Sequence, residues 1–288
     1  LPDSLACFAL NLLLFEDQAN EILLPNGDPR VAHVREVLRL LPGDDFDVAV
    51  VNGPKGKATI LEDGTAGLLL SFLWQESIED DRIPIRLLVG LPRPQTARKI
   101  LQQAASLGVE AMDFFGTDKG EPSYADSKLW SSGEWRRHLL RGVEQAFSSF
   151  LPVVSRHHTI EAALAALPRS SSRFVLDVYE AASPLAFTDS ALPRTPCQLA
   201  VGSERGWSAR ERDLLRESEF EFRHLGPRVL REETASVVAL GILSSGYWVR
   251  RKSGEKELEW VLPCVLSQVG AGIASLPHLA PPHQVILK

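Results

Sequence analysis

The chain has 288 residues, 44% hydrophobic and 24% charged, a composition of ordinary globular proteins and a length sufficient for two domains with a sizeable core. No apolar run approaches the ~20 residues that a membrane-spanning helix needs, so no membrane partner is expected. The formal net charge is −6, which excludes a globally basic nucleic-acid binder and leaves only a local basic face for that task.

Residues 5–15 have the hydrophobicity of a signal-peptide core, but no basic segment precedes them and no small-residue cleavage site follows, so a buried first strand is expected. The chain begins at Leu1 and not at Met, which leaves room for a trimmed targeting segment. Residues 1–80 read as β-rich. Phe46, Val48 and Val50 alternate, Asn52-Gly53-Pro54 and Lys55-Gly56-Lys57 supply turn chemistry, and strands follow over 58–61 and 68–74. A helical turn or two over 31–40 stops at Pro42-Gly43. These elements make a small barrel-like module, and the charged stretch 76–84, ending in Pro84, reads as a linker.

From residue 85 the rhythm changes. The apolar run 85–91 suits a buried parallel strand and is ended by Pro92-Arg93-Pro94. A helix is predicted over 97–107, with Ile100, Leu101, Ala104 and Leu107 on one face and Gly108 as its stop. A strand over 109–115 and a polar loop lead to a helix over 134–147, where Leu139, Leu140, Val143 and Phe147 face the core. Arg136, Arg137, His138 and Arg141 form a basic stripe on its other side. That stripe is either a phosphate contact, which needs charge but no fine pattern, or a solvated face. A helix over 159–167 and a strand over 173–178 follow, then a loop with Tyr179, Glu180 and Pro184. Strand, helix, strand in this order means an α/β domain with a mostly parallel sheet. Three cysteines, Cys7, Cys197 and Cys264, lie far apart with no Cys-x-x-Cys spacing, which argues against structural zinc and disulfides and suits a reducing compartment.

The stretch Leu199-Ala-Val-Gly202-Ser-Glu204-Arg-Gly206-Trp-Ser208 reads as a strand running into a glycine-bracketed turn that opens a helix, with Ser208 and Glu211 spaced as a capping box. A strand over 220–225 then ends in Gly226-Pro227, and a helix begins near Leu230, bringing Arg228, Arg231, Glu233 and Thr234 to its mouth. Two such joints gather backbone N–H donors and mixed charge at the carboxyl ends of strands, where open α/β sheets bind ligands. Gly202, Gly206 and Gly226 permit close backbone approach, and Val201, Leu225, Val229 and Leu230 offer an apolar slot for a base ring. For one joint alone, a turn that merely connects strand to helix is the alternative. Neither a dinucleotide nor a P-loop fingerprint is present. Past Gly246 the chain carries Arg250, Arg251, Lys252 and a proline-rich tail with no assignable role.

Leu225-Gly-Pro-Arg228-Val-Leu-Arg231-Glu-Glu233-Thr-Ala235 resembles the Leu-Gly-Pro-x-Ile/Val-Leu-Arg-x-Glu-Thr-Ala signature of the RsmE family, and Gly202-Ser-Glu-Arg-Gly206 stands in the place of its Gly-Pro-Glu-Gly-Gly loop. The similarity runs upstream through Leu107-Gly-Val109 and Glu144-Gln145 to His33 and Pro42-Gly43-Asp44, and covers residues 11–245. RsmE enzymes are SPOUT-class methyltransferases that methylate a small-subunit ribosomal RNA uridine at N3 with S-adenosylmethionine. The resemblance therefore implies an α/β SPOUT domain with a deep trefoil knot at about residues 199–245, preceded by a small PUA-like β-barrel. Its implied domains are 1–80 and 81–246, with 247–288 as an extension. General topology rules disfavour a threaded chain, so the knot rests on the resemblance alone.

The same resemblance implies S-adenosylmethionine as cofactor and ribosomal RNA or the small subunit as partner. It also implies a homodimer with the RNA site at its interface, no metal, and a cytoplasmic location, or an organellar one if a targeting segment was trimmed. Cofactor contacts are expected from Leu176, Val201, Gly202, Gly206, Leu225, Gly226, Val229, Leu230, Thr234 and Ala235. Arg231, then Arg228, are the candidates for stabilising the uridine anion that forms when N3 loses its proton. Glu204 faces the sulfonium, fixes an arginine or caps a helix, and Thr234 either donates a hydrogen bond or caps the last helix. RNA contacts are expected from His33, Arg35 and Arg39 in the first module and from Arg137, Arg141 and Arg205. Three places depart from the family: Ser203 and Arg205 in the first loop, Ala146-Phe147-Ser148-Ser149 where an arginine is usual, and Gln103 to Ser106 where the family has Lys-x-x-Glu. Arg205 is expected to supply the cation missing near Ser148. The other readings are a SPOUT enzyme for another RNA or base, and a non-catalytic RNA-binding or ribosome-assembly protein.

Overall fold

A computed structural model describes residues 12–168, 172–186 and 196–248. Cys7, Cys264, the start of the expected first strand and the extension from residue 249 lie outside them.

Five strands form a first sheet: β1 (Leu13–Phe15), β2 (Glu21–Pro25), β3 (Asp45–Val50), β4 (Lys55–Asp63) and β5 (Gly67–Trp74), in the order β1-β3-β4-β5-β2. All its pairings are antiparallel except that of β1 with β3. Between β2 and β3 lies α1 (Pro29–Ala32), whose N-cap Asp28 accepts from the Arg30 N–H. It widens into a π-helical turn, His33–Leu38, and stops at Arg39 in the left-handed region, φ 56°. Alternate residues fill the core of this sheet, Phe46 and Val48 from β3 meeting Leu68 and Leu70 from β5, with Val31 and Val34 closing it. Lys55-Gly56-Lys57 is not a turn, as its composition suggested, but the start of β4. A Cβ on Gly56 would lie 2.5 Å from the Leu73 carbonyl oxygen, so the glycine records a close strand approach.

The second sheet has seven strands, all paired in parallel: β6 (Ile83–Gly90), β7 (Val109–Phe115), β8 (Val153–His157), β9 (Ser172–Leu176), β10 (Ser183–Pro184), β11 (Cys197–Val201) and β12 (Glu221–His224). Their order is β10-β12-β9-β11-β6-β7-β8. Helices α2 (Pro94–Ser106), α3 (Lys128–Ser131), α4 (Glu134–Gln145), α5 (Ile160–Ala165), α6 (Ala209–Glu217) and α7 (Glu232–Trp248) complete the α/β fold. Leu87, Val89, Leu199 and Val201 point to one face, packed with residues of α2, α4 and α7, while Leu88, Val175 and Ala200 point to the other, packed with α5 and α6. Strands covered on both faces need apolar residues at nearly every position, which is why 85–91 reads as an apolar run broken only by Arg86, which pairs with the buried Asp113 at 2.6 Å.

Several boundaries move. β6 starts at Ile83, so Pro84 lies inside the strand, where the register with β7 slips between Ile83 and Arg86. β8 has no counterpart among the predicted elements; it is a half-exposed edge strand without a clean alternation. α4 ends at Gln145, and Phe147 follows at φ 58°. His138 leaves the basic stripe, since it is buried with a ring nitrogen 3.2 Å from Glu134 Oε1. Arg136 leaves it too, paired with Glu16 at 2.6 Å. Only Arg137 and Arg141 remain on that face.

The sheets meet along β1, which sends Leu13 and Phe15 into the first core and Leu12 and Leu14 into the second. Hydrogen bonds fix the junction: Asn52 N–H donates to the Ser149 carbonyl at 2.8 Å, Ser149 Oγ donates to the Gly53 carbonyl at 2.8 Å, and Ser148 Oγ donates to Asp81 at 2.6 Å. Ser149 is thus a buried joint between the sheets, and Ser148 ties the end of α4 to the segment before β6.

Candidate functional site

Three strand ends converge at the carboxyl edge of the parallel sheet. β9 lies between β11 and β12, so the turn after β9 arrives between the two glycine-bracketed joints. Together they enclose a cavity of about 550 Å³. The joint after β11 contributes Val201, Gly202, Ser203, Glu204, Arg205 and Gly206, and the joint after β12 contributes Leu225, Gly226, Arg228, Val229, Leu230, Arg231 and Ala235. Leu176 lines it from the end of β9. Thr234, expected as a cofactor contact, does not line it. α7 starts at Glu232, and the helical step turns Glu232 and Glu233 inward while Thr234 points outward and is exposed.

Local chemistry holds the first joint in place. Trp207 is 1% exposed, its ring stacks on Phe115 with centroids 6.1 Å apart, and its indole N–H donates to the Leu176 carbonyl at 2.9 Å. Gly202 passes so close to that ring that a Cβ there would lie 3.1 Å from it. The expected capping box is present: Ser208 Oγ accepts from the Glu211 N–H at 3.1 Å, and Glu211 accepts from the Ser208 N–H at 2.7 Å. The second Glu211 oxygen accepts from the Asp118 N–H at 2.9 Å, tying the loop after β7 to α6. Ser208→Ala is expected to cost about 1 kcal/mol of stability, read as a lower thermal midpoint, because it leaves the Glu211 N–H without its cap.

The turn after β9 was not foreseen as part of the site. Asp177 Oδ1 accepts from the N–H groups of Tyr179 (2.6 Å) and Glu180 (3.0 Å), while its other oxygen pairs with Arg212 at 2.6 Å. Tyr179 stands 80% exposed at the cavity rim. An Asp followed by two turn residues is a local signal for this geometry; its nearness to the glycine joints is a matter of strand order. Arg93, Gln95, Thr96 and Lys99, at the start of α2, also line the cavity without having been expected there.

Charge along one wall is organised in pairs. Glu204 accepts from Arg93 Nε at 2.6 Å, so of its three readings it is the one that fixes an arginine. Lys99 holds Glu233 at 3.1 Å. Burial raises the Glu233 carboxyl, but its own backbone N–H and Lys99 outweigh that and hold it below the usual range. Glu232 is 8% exposed and its Oε1 has no hydrogen-bond partner among the described residues. Burial, reinforced by the charges of Glu204 and Glu233 and opposed by Arg93, pushes its carboxyl up to about 8. Arg228 and Arg231 are exposed on the rim.

The other expected RNA contacts are dispersed. Only Arg205 lines the cavity. Arg35 is held by Asp63 and by Asn26 Oδ1 (2.7 Å). His33 and Arg39 bracket the π-turn, and Arg137 and Arg141 are exposed on α4. Arg205 lines the cavity, while Ser148 is buried and donates to Asp81. Among the described residues there is no His/Cys/Asp/Glu group arranged for a metal and no helix long and apolar enough to cross a membrane. Burial pushes the Cys197 thiol up to about 12, which removes it as a nucleophile at neutral pH.

The RNA methyltransferase domain family matches residues 79–244. The ribosomal RNA small subunit methyltransferase E of Treponema pallidum is 31% identical over 253 residues, spanning 84% of this chain and 94% of the relative. A ribosomal RNA small subunit methyltransferase E 1 of Borreliella burgdorferi is 23% identical, spanning 82% of this chain and 98% of its own. Among solved structures, the ribosomal RNA small subunit methyltransferase E of Neisseria gonorrhoeae, bound to S-adenosylmethionine, has the same fold with a TM-score of 0.68, at 20% identity over 82% of this chain and 98% of that one. With the glycine joints, their shared cavity and these matches together, the chain belongs to the ribosomal RNA small subunit methyltransferase E family.

Proposed function

We propose that the chain transfers a methyl group from S-adenosylmethionine to N3 of a uridine in small-subunit ribosomal RNA. One observation carries the reading: two joints separated by a helix and a strand wall a single cavity. The cavity suits the cofactor. Its volume, about 550 Å³, lies within the range of small-molecule sites. Val201, Leu225, Val229 and Leu230 offer an apolar slot, Gly206 and Gly226 turn at φ 63° and 96° beside it, and Ser203 Oγ and Glu232 Oε1 are buried polar atoms without partners among the described residues.

The cofactor supplies an activated methyl carbon on a sulfonium. The residues that line the cavity then act chiefly by alignment, since direct displacement needs the nucleophile, the carbon and the leaving sulfur in line. Arg231, with Arg228 beside it, stabilises the negative charge that spreads onto the uridine oxygens as N3 loses its proton. The base reaches the rim splayed from its stack.

In this reading the β-rich part, residues 1–80, is a PUA-like RNA-holding module, residues 81–246 are the SPOUT domain, and 247–288 are an extension. His33, Arg39, Arg137, Arg141 and Arg205 contact phosphates, while Arg35 braces the π-turn through Asp63. The chain from β11 through α6 to β12 crosses over β9, and α7 returns to pack on α2; this supports a trefoil knot at 199–245. A homodimer would bring the distant basic residues of one chain to the cavity of its partner. The protein would work beside ribosomes, in the cytoplasm or an organelle.

The test is to incubate the protein with methyl-labelled S-adenosylmethionine and unmodified small-subunit RNA, then digest and identify the labelled nucleoside. The expected product is 3-methyluridine. Label on ribose or on another base overturns the N3 reading, and donor binding without any transfer would favour a non-catalytic RNA-binding protein.

A further inference from the structure

We infer that Glu232 is the counter-charge for a cationic group of the methyl donor, and that it gives up a proton to solvent as that cation enters the cavity. The inference rests on the donor-site reading above. Three glutamates crowd one wall. Glu204 already holds Arg93, Glu233 already holds Lys99, and Glu232, nine-tenths buried, keeps a carboxyl oxygen without a partner among the described residues. Arg205, Arg228 and Arg231 also line the cavity but stand exposed at its rim, so of the three glutamates only Glu232 keeps a buried oxygen with no cation paired to it.

Protonation spares Glu232 an unpaired buried charge before the donor arrives. Burial and the charges of Glu204 and Glu233 push the Glu232 carboxyl up to about 8, against the pull of Arg93, so near neutral pH it is mostly neutral. A donor cation at hydrogen-bond distance reverses the preference, because an opposite charge in a poorly solvated site favours the ionised carboxylate. The O–H bond then breaks, its electron pair stays on the carboxylate oxygen, and the proton passes to buffer. Nothing is oxidised or reduced.

The donor carries two cationic groups, a sulfonium and an α-ammonium, and methyl transfer neutralises only the first. If the sulfonium is the partner, Glu232 takes its proton back after transfer, so the spent product is held less tightly than the donor. If the ammonium is the partner, donor and product are held alike.

Titration calorimetry in buffers of different ionisation enthalpy counts the protons. For the unaltered protein near neutral pH, S-adenosylmethionine is expected to release about one proton per bound molecule, fading as the pH rises past about 8. Glu232→Gln is expected to abolish the release and weaken donor binding about ten- to a hundredfold, the loss of a charge-assisted contact. S-adenosylhomocysteine separates the two cations: release with the donor alone assigns the sulfonium, and release with both ligands assigns the ammonium. Donor binding with no proton release, or release that persists in Glu232→Gln, overturns the inference and leaves the donor site standing. A proton acceptor for uridine N3 would give that pattern, with donor affinity unchanged in the variant. If the unaltered protein binds no donor at all, the proposed function itself fails. The pH dependence of release in the unaltered protein tests the inference even if the variant does not fold.

Discussion

Arg231→Ala is expected to lower the methylation rate about a hundred- to a thousandfold while leaving donor affinity within about twofold, the pattern of losing a group that acts on charge developed in the transition state. Arg231 stands on the cavity rim immediately before α7, exposed, next to the site of the inward-facing Glu232 and Glu233. A guanidinium there can meet both oxygens flanking uridine N3, which a point charge does less well, so Arg231→Lys should recover only part of the rate. Arg228→Ala should cost less, because Arg228 lies farther from the start of the helix. Single-turnover rates with labelled donor, set beside donor affinity, separate these outcomes. A variant that loses donor binding and keeps its bound-state rate would show that Arg231 holds the cofactor and does not act on the base.

Trp207→Ala is expected to destabilise the fold by about 3–5 kcal/mol, as large-to-small changes at well-packed aromatic positions do. Trp207 is among the largest fully buried side chains, stacks on Phe115 and ties the loop after β11 to the end of β9 through its indole N–H and the Leu176 carbonyl. Its loss opens a cavity, leaves that carbonyl unpaired and frees Gly202, whose backbone lies against the ring. Donor binding should weaken along with stability, since Leu176 and Gly202 both line the cavity. Trp207→Phe keeps most of the packing and loses the hydrogen bond, so its cost should be about 1–3 kcal/mol. Denaturant midpoints check both, and a loss below about 1 kcal/mol for the alanine variant would mean that the loop is held by other contacts.

The α/β part of the fold was legible wherever burial left a local trace. β6 and β11 lie under helices on both faces and read as apolar runs with one polar residue each, Arg86 paired with Asp113 and Gln198 bonded to the Pro168 carbonyl. α2 shows its buried stripe at Ile100, Leu101 and Ala104, and Gly108, at φ 73°, marks its end. β8 was invisible because an edge strand needs no continuous apolar face. Lys55-Gly56-Lys57 misled because glycine serves both a turn and a close strand approach, and only the Leu73 backbone on the next strand tells which.

The site was legible as two glycine joints and illegible as a three-sided cavity. Strand order places β9 between β11 and β12, a tertiary fact with no mark in the local pattern, so Asp177 and Tyr179 went unassigned. Thr234 was placed inside on the strength of the resemblance; on α7 it is Glu232 and Glu233 that line the cavity, while Thr234 is exposed. Glu232 and Glu233 are the same residue type side by side; burial and its neighbours' charges push Glu232 up, while against burial a backbone N–H and the reach of Lys99 hold Glu233 below the usual range. Ser148 and Ser149 looked like a gap in an RNA-facing surface; both are buried and hydrogen-bonded, Ser148 to Asp81 before β6 and Ser149 across to the turn after β3.

A crystal structure of this chain grown with S-adenosylmethionine tests the central claim most directly. The account predicts the cofactor between residues 201–206 and 225–235, its base against Leu225, Val229 and Leu230 and a cationic group near Glu232. Cofactor bound elsewhere, or density excluded from that cavity while the protein methylates RNA, would contradict it.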